Sequence, residues 1–501
     1  MSPDTAALQP DACYLALQAR DARFDGRFFI GVTSTGIYCR PVCRVRMPKR
    51  ENCRFFGHAA QAESAGFRPC LRCRPELAPH SITWSIQDAS YILAHQAARL
   101  LDEPEAWGDE PPSVEQLAAR LGVSDRHVRR IFEAQFGVSP VQYLQTRRLL
   151  TAKQLLADTD LPITQVALVS GYSSVRRFNA AFVEHYGLNP TRLRREGTVR
   201  TPQGMSIRLG YRPPYDIAAM LGFFGKRAIT GIESIDMARG AIARTLAVES
   251  GGQLHKGWLQ GEFDEVRHQL VLRVSDSLRG VLPLVIRRLR ATLDLDADPH
   301  AINDVLHTSF PHGDGLRVPG TLSGYELAVR AVLGQQITVA AARTLAQRMV
   351  DRFGEPIETP LPGLTHLFPE PAVLARASGD ALGQLGIVKQ RQAAIVAIAQ
   401  AVADKRIQLH GGADVAATIA ALKELPGIGE WTAQYIAMRA LRWPDAFPAG
   451  DVALHKALGV QGGTQPARAA EAASQAWKPW RSYAVIRTWA SMAQASPKEP
   501  Q

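Results

Sequence analysis

The sequence predicts a multidomain, mainly α-helical protein: a small zinc domain, a double helix–turn–helix domain, an α+β subdomain and a final all-α domain. Three observations lead to this fold class. The chain has 501 residues, which suits about three to four domains. Alanine and leucine dominate, and strand-like alternation is confined to one segment. Four cysteines are grouped near the N-terminus. The predicted domains span residues 1–80, 85–197, 203–290 and 291–495.

The overall charge restricts the kind of partner. A formal net charge of +11 favours an anionic partner, and nucleic acid is the usual candidate. The first residues lack the apolar core of a signal peptide, and no run of about 18 apolar residues follows. We therefore expect a cytoplasmic protein with no membrane partner.

The first domain is defined by its cysteines. Cys39 and Cys43 form a C-x3-C pair, and Cys70 and Cys73 form a C-x2-C pair after 26 further residues. This spacing is typical of a four-thiolate zinc site. A disulfide framework is the alternative, but it needs an oxidising compartment that nothing in the sequence indicates. The remaining cysteines, at positions 13 and 53, are expected to be buried apolar side chains.

Basic residues surround the cysteine pairs. The segment from Gly36 to Arg74 holds nine Lys or Arg residues against two Asp or Glu. Four thiolates on one Zn²⁺ ion carry a net charge of −2, so some of these bases offset that charge. The others would form a positive rim suited to a phosphate backbone. A basic zinc ribbon that binds nothing is the alternative.

The same segment closely resembles the N-terminal domain of the Ada family of bacterial sensors of methylated DNA, through TGIYCRP-x-C and AGFRPC-x-RC. In that family the first cysteine of the set accepts a methyl group from a methyl phosphotriester. The resemblance therefore implies that Cys39 is a methyl acceptor as well as a zinc ligand. Methylation would lower the cluster charge from −2 to −1, weaken repulsion of DNA and switch on binding. A zinc-dependent transcription factor without methyl transfer is the alternative.

Two helix–turn–helix patterns follow a linker predicted from Leu101 to Pro112. In the first, Ser113 and Ser124 are predicted N-caps and Gly122 ends the helix between them. In the second, Gly171 ends a helix and Ser173 or Ser174 caps the next. The predicted exposed DNA-binding side chains on the second helix of each unit are Arg126, Arg129, Arg130, Arg176, Arg177 and Asn179.

Two such units joined by a helix from Ser139 to Ala157 resemble the AraC-type DNA-binding domain, with FNAAFVEHYGLNPTRLRR as its most specific stretch. The resemblance implies that two recognition helices enter successive major-groove segments of a promoter. It also implies RNA polymerase as a partner. A packing motif without DNA contact is the alternative for a single unit.

The third region alternates like a sheet. MSIRLGY, ARTLAV, GWLQGEF and QLVLRV are predicted strands, and YRPPYDIAAMLGFF is a predicted turn and helix. They suggest a small α+β subdomain that extends to about Ser275, after which helical patterning resumes.

A tight turn in the last domain carries the strongest catalytic signal. Leu425 to Gly429 (LPGIG) joins two predicted helices, and Gly427 and Gly429 allow the backbone to approach a phosphate. The segment resembles the helix–hairpin–helix of base-excision DNA glycosylases, where the hairpin also holds a monovalent cation. Asp451 lies 22 residues beyond Gly429, where that family keeps its catalytic aspartate. An ordinary surface aspartate is the alternative.

Further residues resemble the DNA-3-methyladenine glycosylase II (AlkA) branch, through WTAQY, YRPPYD…MLGF and WRSYAVIRTW. Trp431 stands where strand-cleaving relatives carry a Schiff-base lysine, which implies a monofunctional hydrolase. Trp431, Tyr435 and Trp489 are the implied aromatic base pocket. Gln336 stands at the implied duplex wedge, where the AlkA branch has leucine, and Ala490 replaces a second aromatic residue.

The residues and resemblances together predict a fusion that repairs alkylated double-stranded DNA and regulates transcription. It would act as a monomer on the bacterial nucleoid, excise 3-methyladenine or 7-methylguanine by Asp451, and transfer one methyl group to Cys39. The alternative to an enzyme is a DNA-binding transcriptional regulator whose glycosylase region is a non-catalytic DNA clamp. No cysteine follows Cys73, so transfer of an O6-methyl group to a later thiol is excluded.

Overall fold

The zinc domain is a small sheet with two helices. The structure, a computed structural model, describes residues 9–80, 89–103, 107, 112–197 and 206–495. Its first elements are α1 (Pro10–Ala19), β1 (Phe29–Val32), β2 (Ile37–Cys39), β3 (Cys53–Phe56), α2 (Ala59–Ser64) and β4 (Arg68–Pro69). The strand order is β3-β1-β2-β4, with β4 parallel to β2 and the other pairs antiparallel. Cys13 and Cys53 are buried beside Phe28 and Ile30, as predicted.

Seven helices form the two helix–turn–helix units. They are α3 (Ala89–Asp102), α4 (Val114–Leu121), α5 (Asp125–Phe136), α6 (Pro140–Asp158), α7 (Ile163–Val169), α8 (Val175–Tyr186) and α9 (Pro190–Gly197). The Ser113 hydroxyl accepts the Gln116 amide at 3.1 Å, and Gly122 ends α4 with φ 67°. Ser124 and Ser174 cap α5 and α8, so Ser174 is the cap where two serines had been candidates.

The predicted linker is only partly described. Leu101 and Asp102 belong to α3, so the linker begins later than expected; residues 104–106 and 108–111 lie outside the described residues. Trp107 is buried and donates to the Leu100 carbonyl at 2.7 Å. The predicted domain boundaries at residues 1, 85 and 203 also lie outside the described residues.

The third region is a five-stranded antiparallel sheet with one helix. Its elements are β5 (Ser206–Gly210), α10 (Ile217–Gly225), β6 (Glu233–Asp236), β7 (Ala241–Ser250), β8 (Gln253–Asp264) and β9 (Gln269–Val274), and the strand order is β5-β9-β8-β7-β6. The four predicted strands are present. β6 was not predicted because ESID is short and lies at the sheet edge with no fully buried residue.

The C-terminal domain consists of helices and the loops between them over its described residues. Its helices are α11 (Leu282–Thr292), α12 (Pro299–Leu306), α13 (Gly324–Leu333), α14 (Val339–Phe353), α15 (Pro371–Ala375), α16 (Gly379–Gly383), α17 (Lys389–Ala403), α18 (Val415–Lys423), α19 (Glu430–Arg439), α20 (Val452–Ala457), α21 (Pro466–Ala473) and α22 (Arg481–Ala495). Two apolar cores fill it, and Tyr435 packs against both. No helix among the described residues is long and apolar enough to cross a membrane.

The regions pack on one another rather than following each other as separate units. One continuous core joins the second helix–turn–helix unit to the sheet, and Phe182 and Ile207 both belong to it. The zinc domain contacts α6 through a buried ion pair between Glu76 and Lys153. Arg212 has no exposed surface and donates to five carbonyl oxygens, those of Asp25, Pro79, His80, Asp296 and Ala297. Its guanidinium therefore joins the zinc domain to the C-terminal part of the chain.

A buried network of four charges joins the sheet to α13. Arg244 lies 2.9 Å from a Glu233 oxygen and 2.6 Å from a Glu326 oxygen. Arg330 lies 2.8 Å from Glu326 and 3.1 Å from Glu233. Each carboxylate therefore contacts two guanidiniums, and the two charges of each sign balance.

Replacing Arg244 should strongly destabilise the protein. Arg244→Met would leave Glu233 and Glu326 with only Arg330, and a broken buried pair typically costs about 3–5 kcal/mol. Arg239→Met is the matched control, because Arg239 pairs with Glu262 on the surface at 2.8 Å, where both side chains are over 40% exposed. That change should cost at most about 1 kcal/mol. Denaturant unfolding measures both, and equal losses would contradict the role of the network.

Candidate functional site

The four predicted zinc ligands form one cluster. Cys39 ends β2, Cys43 follows in a loop, and Cys70 and Cys73 follow β4. Their Sγ atoms all lie within 4.8 Å of one another. Four thiolates around a zinc ion at a bond length of about 2.3 Å are about 3.8 Å apart, so a small contraction suffices. The cluster therefore fits the ion that its spacing predicts.

The four sulfur atoms differ in their hydrogen bonds. The Arg40 amide donates to Cys73 Sγ at 3.4 Å, and the Cys73 amide donates to Cys70 Sγ at 3.5 Å. Within the described part of the chain, Cys39 Sγ and Cys43 Sγ accept no such bond. Cys73 is the most exposed of the four, while Cys39 is 5% exposed. Exposure alone therefore does not distinguish Cys39 as the acceptor.

The basic rim is smaller than the residue count suggests. Arg40 pairs with Asp25 and donates to the Cys73 carbonyl at 3.0 Å, and Arg74 pairs with Glu76 and Asp158. Both guanidiniums therefore serve the interior. The exposed bases of the segment are Arg44, Arg46, Lys49, Arg54, Arg68 and Arg72.

The six predicted DNA-binding side chains of the helix–turn–helix units are all exposed, on α5 and α8. Arg129 lies 3.7 Å from a Glu115 oxygen, and Arg130 contacts the His127 ring at 3.1 Å. Apolar partners on the opposite faces, such as Val128 and Phe178, are completely buried. Packing thus holds both helices with their polar faces outward.

The two glycines of the hairpin turn between α18 and α19 differ in what the fold requires of them. Gly427 has φ 75°, and a Cβ there would lie 3.3 Å from the Ala394 Cβ. A Cβ at Gly429 would meet no described atom within 4 Å, so the backbone at the start of α19 is open. Gln335 braces the turn, donating to the Gly427 carbonyl and the Thr432 hydroxyl, each at 3.0 Å. This bracing role was not predicted.

Asp451 is the N-cap of α20, and three donors fix its carboxylate. Oδ1 accepts the Leu454 amide at 2.9 Å. Oδ2 accepts the Trp431 indole N–H at 2.8 Å, and Oδ1 lies 3.3 Å from the Trp489 indole nitrogen. The two tryptophans come from α19 and α22, so three helices converge on one carboxylate.

The predicted aromatic residues gather around this carboxylate. Trp431 and Tyr435 are stacked, with ring centroids 5.2 Å apart and planes 11° apart. Tyr435 and Trp489 lie 6.3 Å apart at 40°. All three side chains are half-buried, which leaves ring surface for a ligand. Ala490, where the AlkA branch has an aromatic residue, is also half-buried.

Three further residues belong to this site and were not predicted. Arg439, one turn beyond Tyr435 on α19, donates to the Tyr435 phenol oxygen, and its Cζ lies 4.8 Å from the Phe223 ring centroid. The Arg227 Cζ lies 3.7 Å from that centroid. Burial raises the pKa of Tyr435, but the guanidiniums of Arg439 and Arg227 outweigh it, so the pKa is lowered from 10. Phe223 stands in the MLGFF stretch, whose match to the AlkA branch was the available signal.

The predicted wedge residue lies between α13 and α14. Gln336 is exposed and has φ 54°, a left-handed backbone conformation that residues other than glycine seldom adopt. The Arg391 guanidinium donates to the carbonyl of the neighbouring Gln335 and ties this loop to α17. The loop therefore presents the Gln336 amide on a fixed backbone.

Comparison with protein families divides the chain among four models. Residues 12–76 match the metal binding domain of Ada, and residues 117–196 match a helix-turn-helix domain. Residues 206–323 match the AlkA N-terminal domain. Residues 329–482 match the HhH-GPD superfamily of base excision DNA repair proteins.

Three similar proteins cover between 38% and 96% of this chain. A probable bifunctional transcriptional activator/DNA repair enzyme AlkA from Mycobacterium tuberculosis is 38% identical over 96% of this chain and 96% of its own. The DNA-3-methyladenine glycosylase 2 of Escherichia coli is 34% identical over 56% of this chain and 95% of its own. The bifunctional transcriptional activator/DNA repair enzyme Ada of Escherichia coli is 33% identical over 38% of this chain and 50% of its own.

Proposed function

The chain belongs to the family of AlkA-type bifunctional transcriptional activator/DNA repair enzymes, and from this we propose a hydrolytic glycosylase for alkylated purines joined to a methyl-activated transcription regulator. The observation that supports an enzyme most strongly is the Asp451 carboxylate, which two indoles hold beside the aromatic group of Trp431, Tyr435 and Trp489. A regulator whose last domain only clamps DNA would not need these donors on one carboxylate.

The hairpin binds the DNA backbone in this proposal. The open backbone at Gly429 and the amides at the start of α19 face a phosphate, because helix N-termini carry unpaired N–H groups. We also propose a monovalent cation at the turn carbonyls of residues 425–429. The Gly427 oxygen accepts one amide N–H from Gln335, which leaves a lone pair for that ion. Gln336 enters the duplex at the position of the flipped nucleotide.

The excision step uses the substrate's own charge. A purine alkylated at N3 or N7 is cationic, so its bond to C1′ is already weak. That bond breaks with its electrons going to the base, and Asp451 stabilises the positive charge on the sugar. Water then adds at C1′, and its proton passes by way of the carboxylate to solvent.

The product should be an intact strand with an abasic site. Trp431 stands at the position of the Schiff-base lysine, and its indole donates to Asp451 instead. No covalent amine adduct with the sugar is then formed. Phe223, Tyr435 and Trp489 offer ring faces that attract a cationic base.

Incubation of the full chain with DNA treated with a methylating agent tests this function. We expect free 3-methyladenine and 7-methylguanine in the supernatant, abasic sites in the DNA and no trapped adduct after borohydride reduction. Failure of the wild-type chain to release either base would sink the proposal, and a borohydride-trapped adduct would contradict the hydrolytic mechanism.

The zinc domain performs the second reaction in this proposal. Bound Zn²⁺ keeps the cysteine sulfur atoms deprotonated at neutral pH. Cys39 Sγ attacks the methyl carbon of a methyl phosphotriester, a sulfur–carbon bond forms, and the carbon–oxygen bond breaks to leave a phosphodiester anion. Amide hydrogen bonds stabilise the electron pair of a thiolate, so the lack of such a bond to Cys39 supports it over Cys70 and Cys73.

The two recognition helices bind promoter DNA after this methyl transfer in our proposal. If the side chain contacts one phosphate, Arg126→Ala and Arg176→Ala should each reduce by about 1 the magnitude of the slope of log DNA affinity against log salt concentration. If the side chain contacts a base, the substitution should instead relax sequence preference. Arg267→Ala is the control, because Arg267 pairs with Asp264 in the β8–β9 turn. A slope and sequence preference unchanged in both recognition-helix variants would exclude these contacts. Monomeric action, contact with RNA polymerase and location at the nucleoid stay predictions.

A further inference from the structure

Two arginines, Arg439 buried and Arg227 half-buried, lie behind the aromatic group of the glycosylase site. Arg439 is 5% exposed; its guanidinium donates to the Tyr435 oxygen, to the Pro319 carbonyl at 2.7 Å and to the Gly320 carbonyl at 3.0 Å. Its Cζ lies 5.3 Å from the Tyr435 ring centroid. Arg227 packs on Phe223 and donates to the Phe223 carbonyl at 3.1 Å, and its positive charge acts on Tyr435.

The charges of this layer do not balance. Glu233 and Glu326 both form ion pairs with Arg244 and Arg330. Among the described residues, no carboxylate oxygen lies within 4 Å of Arg227 or Arg439, whose polar partners are carbonyls and the Tyr435 oxygen. With a neutral phenol, these two guanidiniums therefore stay without a carboxylate partner beside the pocket, which is costly for the buried Arg439.

A cationic base would make this imbalance worse. An alkylated purine against Tyr435 adds a third positive charge next to Arg439 and Arg227. A phenolate at Tyr435 would neutralise one of the three, and it would attract both the base and the guanidiniums. The lowered pKa of Tyr435 agrees in direction, since the arginines outweigh the effect of burial.

We propose that Tyr435, held by Arg439 and Arg227, is the residue by which the pocket selects a positively charged base, its phenol releasing its proton to solvent when such a base binds. This specificity role rests on the proposed glycosylase function. The other charged groups facing this layer are Arg330 on α13 and Glu233 on β6, with Asp451 beyond Trp431. A neutral base gains nothing from the ionisation, so the two kinds of substrate should differ in pH dependence.

The sign of that dependence follows from linkage. Proton release accompanies binding of the cationic base, so its advantage over a neutral base grows as pH rises toward the phenol pKa. Above that pKa the advantage is constant. Without the phenol group no proton is released, and the ratio should not change with pH.

Single-turnover excision from DNA containing 3-methyladenine or deoxyinosine tests the proposal, from about pH 6 to about pH 8, where hypoxanthine keeps its N1 proton. The first base is cationic and the second is neutral. For the wild type, we expect the rate ratio of 3-methyladenine to hypoxanthine release to rise with pH. For Tyr435→Phe, the ratio should be about tenfold lower and flat. Arg439→Gln keeps the ring but removes one cation, so the rise should move to higher pH.

A spectroscopic readout separates ionisation from packing. A tyrosinate absorption band should appear when the wild type binds DNA with the cationic base, and it should be absent in Tyr435→Phe. Tyr14→Phe is the matched control, because Tyr14 donates to the Pro48 carbonyl in the zinc domain at 3.0 Å, and it should keep the band.

The outcomes distinguish the role of Tyr435 from the glycosylase function on which it rests. Equal losses on both substrates in Tyr435→Phe, or a wild-type ratio that ignores pH, would overturn the role of Tyr435 while leaving the glycosylase intact. Failure of the wild type to release 3-methyladenine at any pH would instead overturn the glycosylase function.

Discussion

Asp451→Asn should lower the rate constant of alkylpurine excision by about 10²–10³-fold. The substitution removes the negative charge that stabilises the sugar cation. Asparagine caps a helix about as well as aspartate, so α20 should persist, but its NH2 group would face the Trp431 indole N–H and the melting temperature should fall slightly. Release of free 3-methyladenine under single-turnover conditions measures the loss.

Asp414→Asn is the matched control for this variant. Asp414 is also a helix N-cap, accepting the Ala417 amide at 2.7 Å at the start of α18, and no indole of the described residues donates to it. It should keep nearly full excision activity. If Asp451→Asn excises 3-methyladenine as fast as the wild type, the carboxylate has no catalytic role.

Cys39→Ala should abolish methyl transfer from a methyl phosphotriester, because the attacking sulfur is gone. Radiolabelled methyl in the DNA backbone would then stay with the DNA, whereas the wild type should take up one methyl group per chain. Cys53→Ala is the control, since Cys53 lies outside the metal cluster and its thiol donates to the Lys49 carbonyl. It should transfer the methyl group as the wild type does.

If Cys39→Ala unfolds the zinc domain through loss of a ligand, peptide mass spectrometry of the methylated wild type still identifies the acceptor. The added methylene should lie on the peptide that carries Cys39. Cys73 is the most exposed ligand, so it is the main competitor on access alone. A methyl group found on Cys43, Cys70 or Cys73 would contradict the assignment of Cys39 as the acceptor.

Local rules were enough to predict most elements from the sequence. Ser113, Gly122 and Ser124 lie where caps and helix ends were expected, because capping depends on a few neighbouring residues. The zinc ligands were equally visible, since their spacing is the signal. β6 was missed because its short sequence carries no strong alternation, and pairing with β7 holds it in place.

Long-range packing is what the sequence could not provide. The joint core of the second helix–turn–helix unit and the sheet depends on contacts between distant segments, such as Phe182 and Ile207. Phe223 reaches the pocket from the α+β subdomain, and Arg439 looks like an ordinary helix residue until its contact with Tyr435 is known. The excess of positive charge around that phenol exists only in the folded chain.

The central claim is that one chain performs two chemistries, a stoichiometric one at Cys39 and a catalytic one at Asp451. The most direct test is a time course in one sample of the wild-type protein with excess methylated DNA, in which both products are counted. We predict that methyl on the protein reaches a plateau at one per chain, while free alkylpurine continues to accumulate beyond one per chain. Base release that stops at one per chain, or protein that stays unmethylated while bases are released, would contradict the account.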